Sequence, residues 1–122
     1  MGRSDKTIAE LAAEHGGFEP RIASSFMGKA GHGGFLGMDY VGHGDDWVEL
    51  AIDWREDLVG DPKTGVLASA VVISLMDNAT SMSVWTLSGR FVPHATLDLR
   101  VDYMRAAVPG RTVIGHGECY KL

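Results

Sequence analysis

The stretch that decides the fold is GVLASAVVISLMDNATSMSVW, residues 65–85. In a helix with a period of about 3.6 residues, its apolar side chains surround the whole circumference instead of following one stripe. Such a helix is built to be buried. Asp77 lies near its middle, and an ionised carboxylate taken out of water is costly unless it is paired or hydrogen-bonded. The sequence therefore predicts a long buried helix carrying a carboxylate that needs a functional reason.

The composition of the whole chain fits one soluble domain. Its 122 residues are 45% hydrophobic and 22% charged, with a net charge of −5, which is typical of a globular protein. This acidic balance argues against a nucleic-acid partner. The N-terminus lacks the apolar core of a signal peptide, and the longest apolar run, 65–76, is shorter than a membrane span of about 18–20 residues. We expect a cytoplasmic protein with no membrane partner, and the single Cys119 agrees with a reducing compartment.

Turn and periodicity signals divide the rest of the chain. They predict, in order, an amphipathic helix over 5–15, a Gly- and Ser-rich loop over 18–34, a β-hairpin over 35–54, a polar loop over 55–65, the long helix up to Ser88-Gly89, and strands over 95–104 and 111–122. The strand over 95–104 is the clearest, because apolar and polar residues alternate strictly along it. This order predicts an α+β fold in which one apolar helix needs a sheet to cover it.

Several common functional motifs are missing from the sequence. The glycine-rich GKAGHGGFLG at 28–37 has neither P-loop nor GxGxxG spacing. The five histidines never fall at HxxxH or HExxH spacing and Cys119 has no CxxC partner, so we expect no metal site. A Gly-x-Ser-x-Gly elbow is also missing, which leaves a serine hydrolase of the α/β type without support. Asp77 is the residue that still requires an explanation.

The chain resembles the hotdog-fold thioesterases, specifically the phenylacetate-degradation type that hydrolyses acyl-CoA. The resemblance covers 35–121 and is carried by Gly65, the pair Asp77-Asn78, the pair Ser81-Met82 and the strand from Thr96 to Arg105. It implies a long central helix wrapped by a curved antiparallel sheet. It also divides the chain into an N-terminal helix and loop, 1–34, and a hotdog domain, 35–122.

The resemblance assigns roles to four residues. Asp77 corresponds to the catalytic carboxylate, which activates water or attacks the thioester carbonyl. Ser69 supplies the backbone N–H that receives the oxyanion, a role suited to the first turn of a helix. Thr96 matches a Ser or Thr that orients the water from the neighbouring subunit, and Arg105 matches a basic residue that meets CoA phosphates. The resemblance thus implies a homodimer or homotetramer with its site at the subunit interface, and no cofactor apart from CoA within the substrate.

Three departures from the family pattern stand out. Ala68-Ser69-Ala70 replaces the His-Gly-Gly ahead of the helix, and Pro62 replaces an assisting Asn. The triplet His32-Gly33-Gly34 precedes the hairpin, so we expect it to be unrelated to that motif. The family continues past the turn at 109–110 through three strands, whereas Leu122 falls inside the first of them. We therefore expect a sheet that lacks its last two strands and leaves the helix partly uncovered.

Three functional hypotheses remain. The first is hydrolysis of an acyl-CoA thioester, with Asp77 as general base or nucleophile. The second is a non-catalytic hotdog protein that binds acyl groups or acyl-CoA, which the replacement of the His and Asn suggests. The third is a structural or regulatory domain that uses the fold for self-association.

Overall fold

The computed structural model describes Glu10 and residues 17–122. The predicted helix over 5–15 therefore lies, except for Glu10, outside the described residues. The elements in chain order are α1 Pro20–Met27, α2 Gly31–Leu36, β1 Asp39–His43, β2 Trp47–Ile52, a 3-10 turn Glu56–Leu58, β3 Val59–Asp61, β4 Val66–Leu67, α3 Ser69–Ser88 and β5 Val113–Glu118. An antiparallel sheet has the order β1-β2-β5, and β3 pairs with β4 in a separate two-stranded ribbon.

The long helix is confirmed, and it lies across the three-stranded sheet. It ends as predicted, because Gly89 adopts a φ of 73° and closes the last turn. It begins later than residue 65, since Gly65 turns the chain at a φ of 75° and the next two residues form β4. Its buried residues follow one face: Val71, Leu75, Ala79, Met82, Ser83 and Trp85.

The prediction that α3 is buried all round is wrong for the single chain. On the face away from the sheet, Ala70 and Thr80 are exposed while Ile73 and Asp77 are half-buried. The sheet covers one side of the helix only, because no described strand pairs with the second edge of β5. An apolar helix with one open face needs a further surface to cover it.

The predicted loop over 18–34 is wrong, because two short helices occupy it. The Glu19 carboxylate accepts hydrogen bonds from the backbone N–H groups of Arg21 (3.1 Å) and Ile22 (3.0 Å), and Pro20 presets the first helical φ. Ala23 and Ser24 of α1 are buried. The predicted division between residues 34 and 35 falls inside α2.

The hairpin over 35–54 is confirmed in β1 and β2, although β1 starts only at Asp39 because Leu36 ends α2. The polar loop that follows contains the ribbon of β3 and β4, which the sequence pattern does not predict. Asp61 shapes its turn by accepting from the Lys63 N–H (3.0 Å) and the Thr64 hydroxyl (3.0 Å). Trp54 ties the ribbon to the sheet by donating its indole N–H to the Gly65 carbonyl at 2.8 Å.

The strand predicted over 95–104 is not formed. This segment pairs with no described strand, and most of its residues are exposed: Leu97 is 102% exposed and Tyr103 is 68% exposed. The physical reason is that alternation marks a face, while a strand also needs a neighbouring backbone to take its N–H and C=O groups. The last strand is confirmed as β5, which pairs along its whole length with β2.

No helix in the described part of the chain has both the length and the apolar character that a membrane crossing requires.

Candidate active site

Asp77 lies in the middle of the open face of α3 and is half-buried. Its Oδ1 accepts a hydrogen bond from the Thr96 hydroxyl at 2.8 Å. The neighbouring hydroxyl of Thr80 is occupied elsewhere, since it donates to the Met76 carbonyl at 2.9 Å. Both members of the Asp77–Thr96 pair come from one chain, so this contact forms without the neighbouring subunit from which Thr96 is expected.

The first turn of α3 presents free backbone donors at Ser69. The residue before the helix is Ala68, whose side chain cannot cap it. The Val71 N–H donates to the Ala68 carbonyl at 3.0 Å, while the N–H groups of Ser69 and Ala70 have no acceptor among the described residues. Unsatisfied donors at the positive end of a helix dipole attract an oxygen that carries negative charge.

Arg105 shares a large cavity with Ser69. The cavity has a volume of about 720 Å³ and lies between the start of α3, the segment 103–107 and the start of β5. Val66, Leu67 and Val72 contribute apolar walls, and the Arg105 side chain brings positive charge. The structure thus places Ser69 and Arg105 on one cavity, which Asp77 and Thr96 do not line.

The two predicted site residues that belong to α3, Ser69 and Asp77, are far apart along the helix. Ser69 and Asp77 are eight residues apart, which at a rise of about 1.5 Å per residue corresponds to about 12 Å along the axis of α3. A carboxylate and a backbone N–H that act on one carbonyl must each lie within about 3 Å of the reacting atoms, or be joined through one water. One chain alone therefore cannot bring both groups to the same thioester.

The sequence did not predict a polar contact on Ser74, one helical turn before Asp77. His32 of α2 approaches the middle of α3, and its Nε2 lies 3.0 Å from the Ser74 Oγ. His32 also lines a smaller cavity of about 230 Å³ at the start of the helix, together with Ala68 and Ala70. The sequence signal for it is the triplet at 32–34, which precedes the hairpin and is therefore predicted to be unrelated to the motif ahead of α3.

Asp57 is the other ionisable residue on this smaller cavity. A hydrogen bond from the Arg55 guanidinium lowers the pKa of the Asp57 carboxyl below its usual value. The two side chains form an ion pair at 3.0 Å on the surface. Within the described residues, no group of three His, Cys, Asp or Glu side chains is placed to hold a metal ion.

Sequence and structure comparisons identify the family. The sequence model of the Thioesterase superfamily matches residues 64–122. A crystal structure described as a protein from the thioesterase superfamily is 32% identical, with a TM-score of 0.64, and the alignment covers 76% of this chain and 68% of that one. The chain belongs to the thioesterase superfamily. This membership supports thioester hydrolysis in general as its activity.

Other solved structures establish the fold. A Pseudomonas aeruginosa protein is 28% identical with a TM-score of 0.72, and the alignment covers 85% of this chain and 78% of that one. Thioesterase superfamily member 2 from Mus musculus, at 17% identity, shares the fold with a TM-score of 0.68 over 92% of this chain and 75% of its own. No curated protein matches the sequence. The predicted α+β hotdog architecture is confirmed.

Proposed function

We propose that this thioesterase-superfamily protein hydrolyses an acyl-CoA thioester to the free acid and CoA, with Asp77 as general base or nucleophile. The observation that carries the proposal is the Asp77–Thr96 hydrogen bond of 2.8 Å on the open face of α3. As a base, Asp77 takes a proton from water while the water oxygen bonds to the carbonyl carbon. The C–S bond then breaks, and the thiolate of CoA leaves and takes up a proton. As a nucleophile, the carboxylate attacks the carbonyl carbon, the C–S bond breaks and the CoA thiolate leaves and takes up a proton. Water then hydrolyses the resulting mixed anhydride to the free acid and restores the carboxylate.

Thr96 orients the carboxylate in this scheme. Its hydroxyl donates to one oxygen of Asp77, which leaves the second oxygen to contact water or the carbonyl carbon. Charge-assisted hydrogen bonds of this kind are short and directional. The residue therefore contributes by fixing the direction from which Asp77 acts.

Ser69 supplies the oxyanion donor, and the site combines two chains. Support comes from the free N–H at the start of α3 and from the separation of about 12 Å between Ser69 and Asp77. In a symmetric homodimer whose α3 helices meet in opposite directions, Ser69 of one protomer faces Asp77 and Thr96 of its partner. The open, partly apolar face of α3 is the surface that such a contact buries. A homotetramer can contain the same dimer.

CoA occupies the larger cavity in this proposal. A guanidinium binds phosphate oxygens through paired, charge-assisted hydrogen bonds, and Arg105 lines the same cavity as Ser69. The substrate carries the only CoA involved, and no separate cofactor is needed. The motif around Asp77 favours the phenylacetate-degradation type as the subfamily. The buried free thiol of Cys119 suits a cytoplasmic location.

A second candidate is a hotdog protein that binds acyl-CoA without hydrolysing it. The observation that favours it is the side-chain chemistry ahead of α3, because Ala68 and Pro62 offer no polar group. The test is a panel of acyl-CoA esters assayed for free thiol, with binding measured by calorimetry on the same panel. Turnover with saturation kinetics supports hydrolysis, whereas binding without thiol release supports the second candidate. Neither binding nor turnover would leave both proposals without support.

A further inference from the structure

The residues that follow α3 return along the helix without forming regular secondary structure. Gly89 ends α3, and the 91–96 segment then brings Thr96 to Asp77 in the middle of the helix. Within this segment Phe91 is half-buried and the other residues are exposed. The segment also pairs with no described strand. Its position on α3 therefore depends on a small number of specific contacts.

Trp85, in the last turn of α3, supplies most of these contacts. Its indole N–H donates to the Val92 carbonyl at 2.7 Å. Its ring packs against Phe91 and against His94, in each case with ring centroids 4.7 Å apart. The hydrogen bond is short, and tilted ring pairs at this separation are favourable. Trp85 thus fixes the chain just before Thr96.

The indole of Trp85 is itself held in place. It is buried, with 9% of its surface exposed. Phe18 packs against it at a centroid distance of 5.5 Å, and the Phe18 N–H donates to the Gly89 carbonyl at 2.9 Å. A closely packed side chain has few other rotamers available to it. The indole can therefore hold the 91–96 segment in one position.

The length of the segment links this anchor to Asp77. Trp85 follows Asp77 by eight residues, which corresponds to about 12 Å along the axis of α3. The chain from Val92 to Thr96 reaches about 13–14 Å when it is fully extended. Because the two lengths are similar, the segment has little slack between its two contacts with the helix. A shift at Val92 therefore displaces the Thr96 hydroxyl.

We propose that Trp85 is a positioning residue of the active site, which holds the 91–96 segment so that the Thr96 hydroxyl stays on the Asp77 carboxylate. The inference rests on the proposed function, since Trp85 affects turnover only if Asp77 acts on the thioester. Trp85 acts through Thr96 and does not line the larger cavity. Loss of this anchor therefore leaves substrate binding intact and reduces the fraction of molecules in which Thr96 orients Asp77.

A matched pair of tryptophan variants tests the anchor. Trp85→Phe removes the indole N–H and keeps an aromatic ring. We expect kcat for acyl-CoA to fall by about threefold to tenfold, the value of one hydrogen bond, while KM stays nearly unchanged. Trp54→Phe is the control, because Trp54 donates its indole N–H to the Gly65 carbonyl at 2.8 Å, outside α3 and the 91–96 segment. An equal fall in kcat in both variants overturns the positioning role.

A double-mutant cycle tests whether Trp85 acts through Thr96. In a Thr96→Val background, Trp85→Phe should change kcat by at most about twofold, because the hydroxyl that it positions is already missing. The same fall in kcat with and without the Thr96 hydroxyl would overturn the inference, since the two residues would then act independently.

The side-chain carboxyl resonance of Asp77, observed by ¹³C NMR, tests the anchor independently of catalysis. Thr96→Val should shift this resonance, because the carboxylate loses its hydrogen bond. Trp85→Phe should shift it in the same direction by a smaller amount, whereas Trp54→Phe should leave it in place. An Asp77 resonance that Trp85→Phe does not move overturns the inference.

His94→Ala provides a second variant for the case in which Trp85→Phe does not fold. The His94 side chain is exposed, and its removal weakens the same anchor by deleting one ring contact with Trp85. The Asp77 resonance should shift as it does in Trp85→Phe. His43→Ala is the control, because it deletes an exposed ring contact with Tyr40 on the hairpin. Equal spectra at Asp77 in the two histidine variants overturn the inference.

The outcomes separate this inference from the proposed hydrolysis. If acyl-CoA esters release no thiol but the Asp77 resonance shifts in Trp85→Phe, the hydrolytic function is wrong and the anchoring of Thr96 stands. If thiol is released but Trp85→Phe changes neither kcat nor the Asp77 resonance, hydrolysis stands and the role of Trp85 is wrong. A shifted resonance with unchanged kcat in an active enzyme also overturns that role.

Discussion

At the scale of single residues, the candidate site depends on which residues form hydrogen bonds with the polar side chains of α3. Asp77 and Thr96 are 19 positions apart and meet through one hydrogen bond of 2.8 Å. Their types and positions were predicted from the sequence. The resemblance placed Thr96 on the neighbouring subunit, whereas the structure joins the two residues within one chain. The contact of His32 with Ser74 was not predicted, because it joins residues 42 positions apart and no local pattern specifies such a pairing.

Thr96→Val removes the hydroxyl that orients Asp77 while keeping the shape of the side chain. We expect kcat/KM for acyl-CoA to fall by about tenfold or more, because a hydrogen bond to a charged group is lost. Thr112→Val is the matched control. The Thr112 hydroxyl also donates to a carboxylate, that of Asp53, at 2.7 Å, and neither residue belongs to α3. Equal kinetics in the two variants would contradict the orienting role of Thr96.

His116 gives the outer face of the sheet a pH dependence. Hydrogen bonds to Glu118 (3.0 Å) and Glu49 (3.1 Å) raise the pKa of His116 above its usual value. A raised pKa in the folded state means that the stabilisation is fully present below the unfolded pKa of about 6.5 and is lost as the pH rises through the folded value. The imidazole also stacks on Trp47.

The prediction is that His116→Gln lowers the melting temperature more at about pH 5.5 than at about pH 9, where less of the wild-type imidazole is protonated. Thermal unfolding at the two pH values checks it. The effect is expected to be small because the side chains are partly exposed. A larger loss at the higher pH would contradict the assignment of the charge.

At the scale of elements, sequence signals succeeded where an element is decided locally or by burial. Apolar density and Gly89 predicted α3 and its end, and turn residues predicted the hairpin. They failed over 95–104, because a strand depends on a partner that no local pattern specifies. They also failed at α1, where Glu19 acts as the cap and Pro20 begins the helix in a segment whose glycines and serines suggested a loop.

Two glycines in β5 allow the sheet to approach α3. A Cβ at Gly117 would lie 2.5 Å from the backbone carbonyl of Ala79, whereas a Cβ at Gly115 would meet the Leu75 side chain at 2.8 Å. A side chain can rotate away, but helix backbone cannot. The loss of β propensity at these glycines is therefore offset by a close contact between strand and helix.

We expect Gly117→Ala to destabilise the protein by about 2–3 kcal/mol and Gly115→Ala by less, since only the first forces backbone to move. Urea unfolding of the two variants measures the difference. A free energy of unfolding lower for Gly115→Ala than for Gly117→Ala would show that the helix lies further from β5 than described.

At the scale of the whole molecule, the proposed site is complete only in an assembly. The separation of about 12 Å between Ser69 and Asp77 and the open face of α3 both favour a site shared by two protomers. The fold itself follows from the sequence and from membership of the thioesterase superfamily. The position of the second protomer depends on complementary surfaces, which a pattern along one chain does not encode.

Complementation between two inactive variants tests the shared site. Ser69→Pro deletes the N–H donor at the first helical position, where proline is favoured, and the ψ of 137° at Ala68 is compatible with a following proline. Asp77→Asn removes the carboxylate. After the two are mixed and allowed to exchange protomers, about a quarter of wild-type activity should return, because half of the dimers are mixed and each has one intact site. No recovery in a verified mixed dimer would place the whole site in one chain.

The most direct test of the central claim is thiol release by Asp77→Asn. The substitution keeps the size of the side chain and its ability to accept from Thr96, while it removes the charge needed to activate water or attack the carbonyl. With a circular dichroism spectrum matching wild type, the account predicts a loss of kcat of at least about a hundredfold on acyl-CoA. Wild-type turnover by a correctly folded Asp77→Asn protein would contradict it.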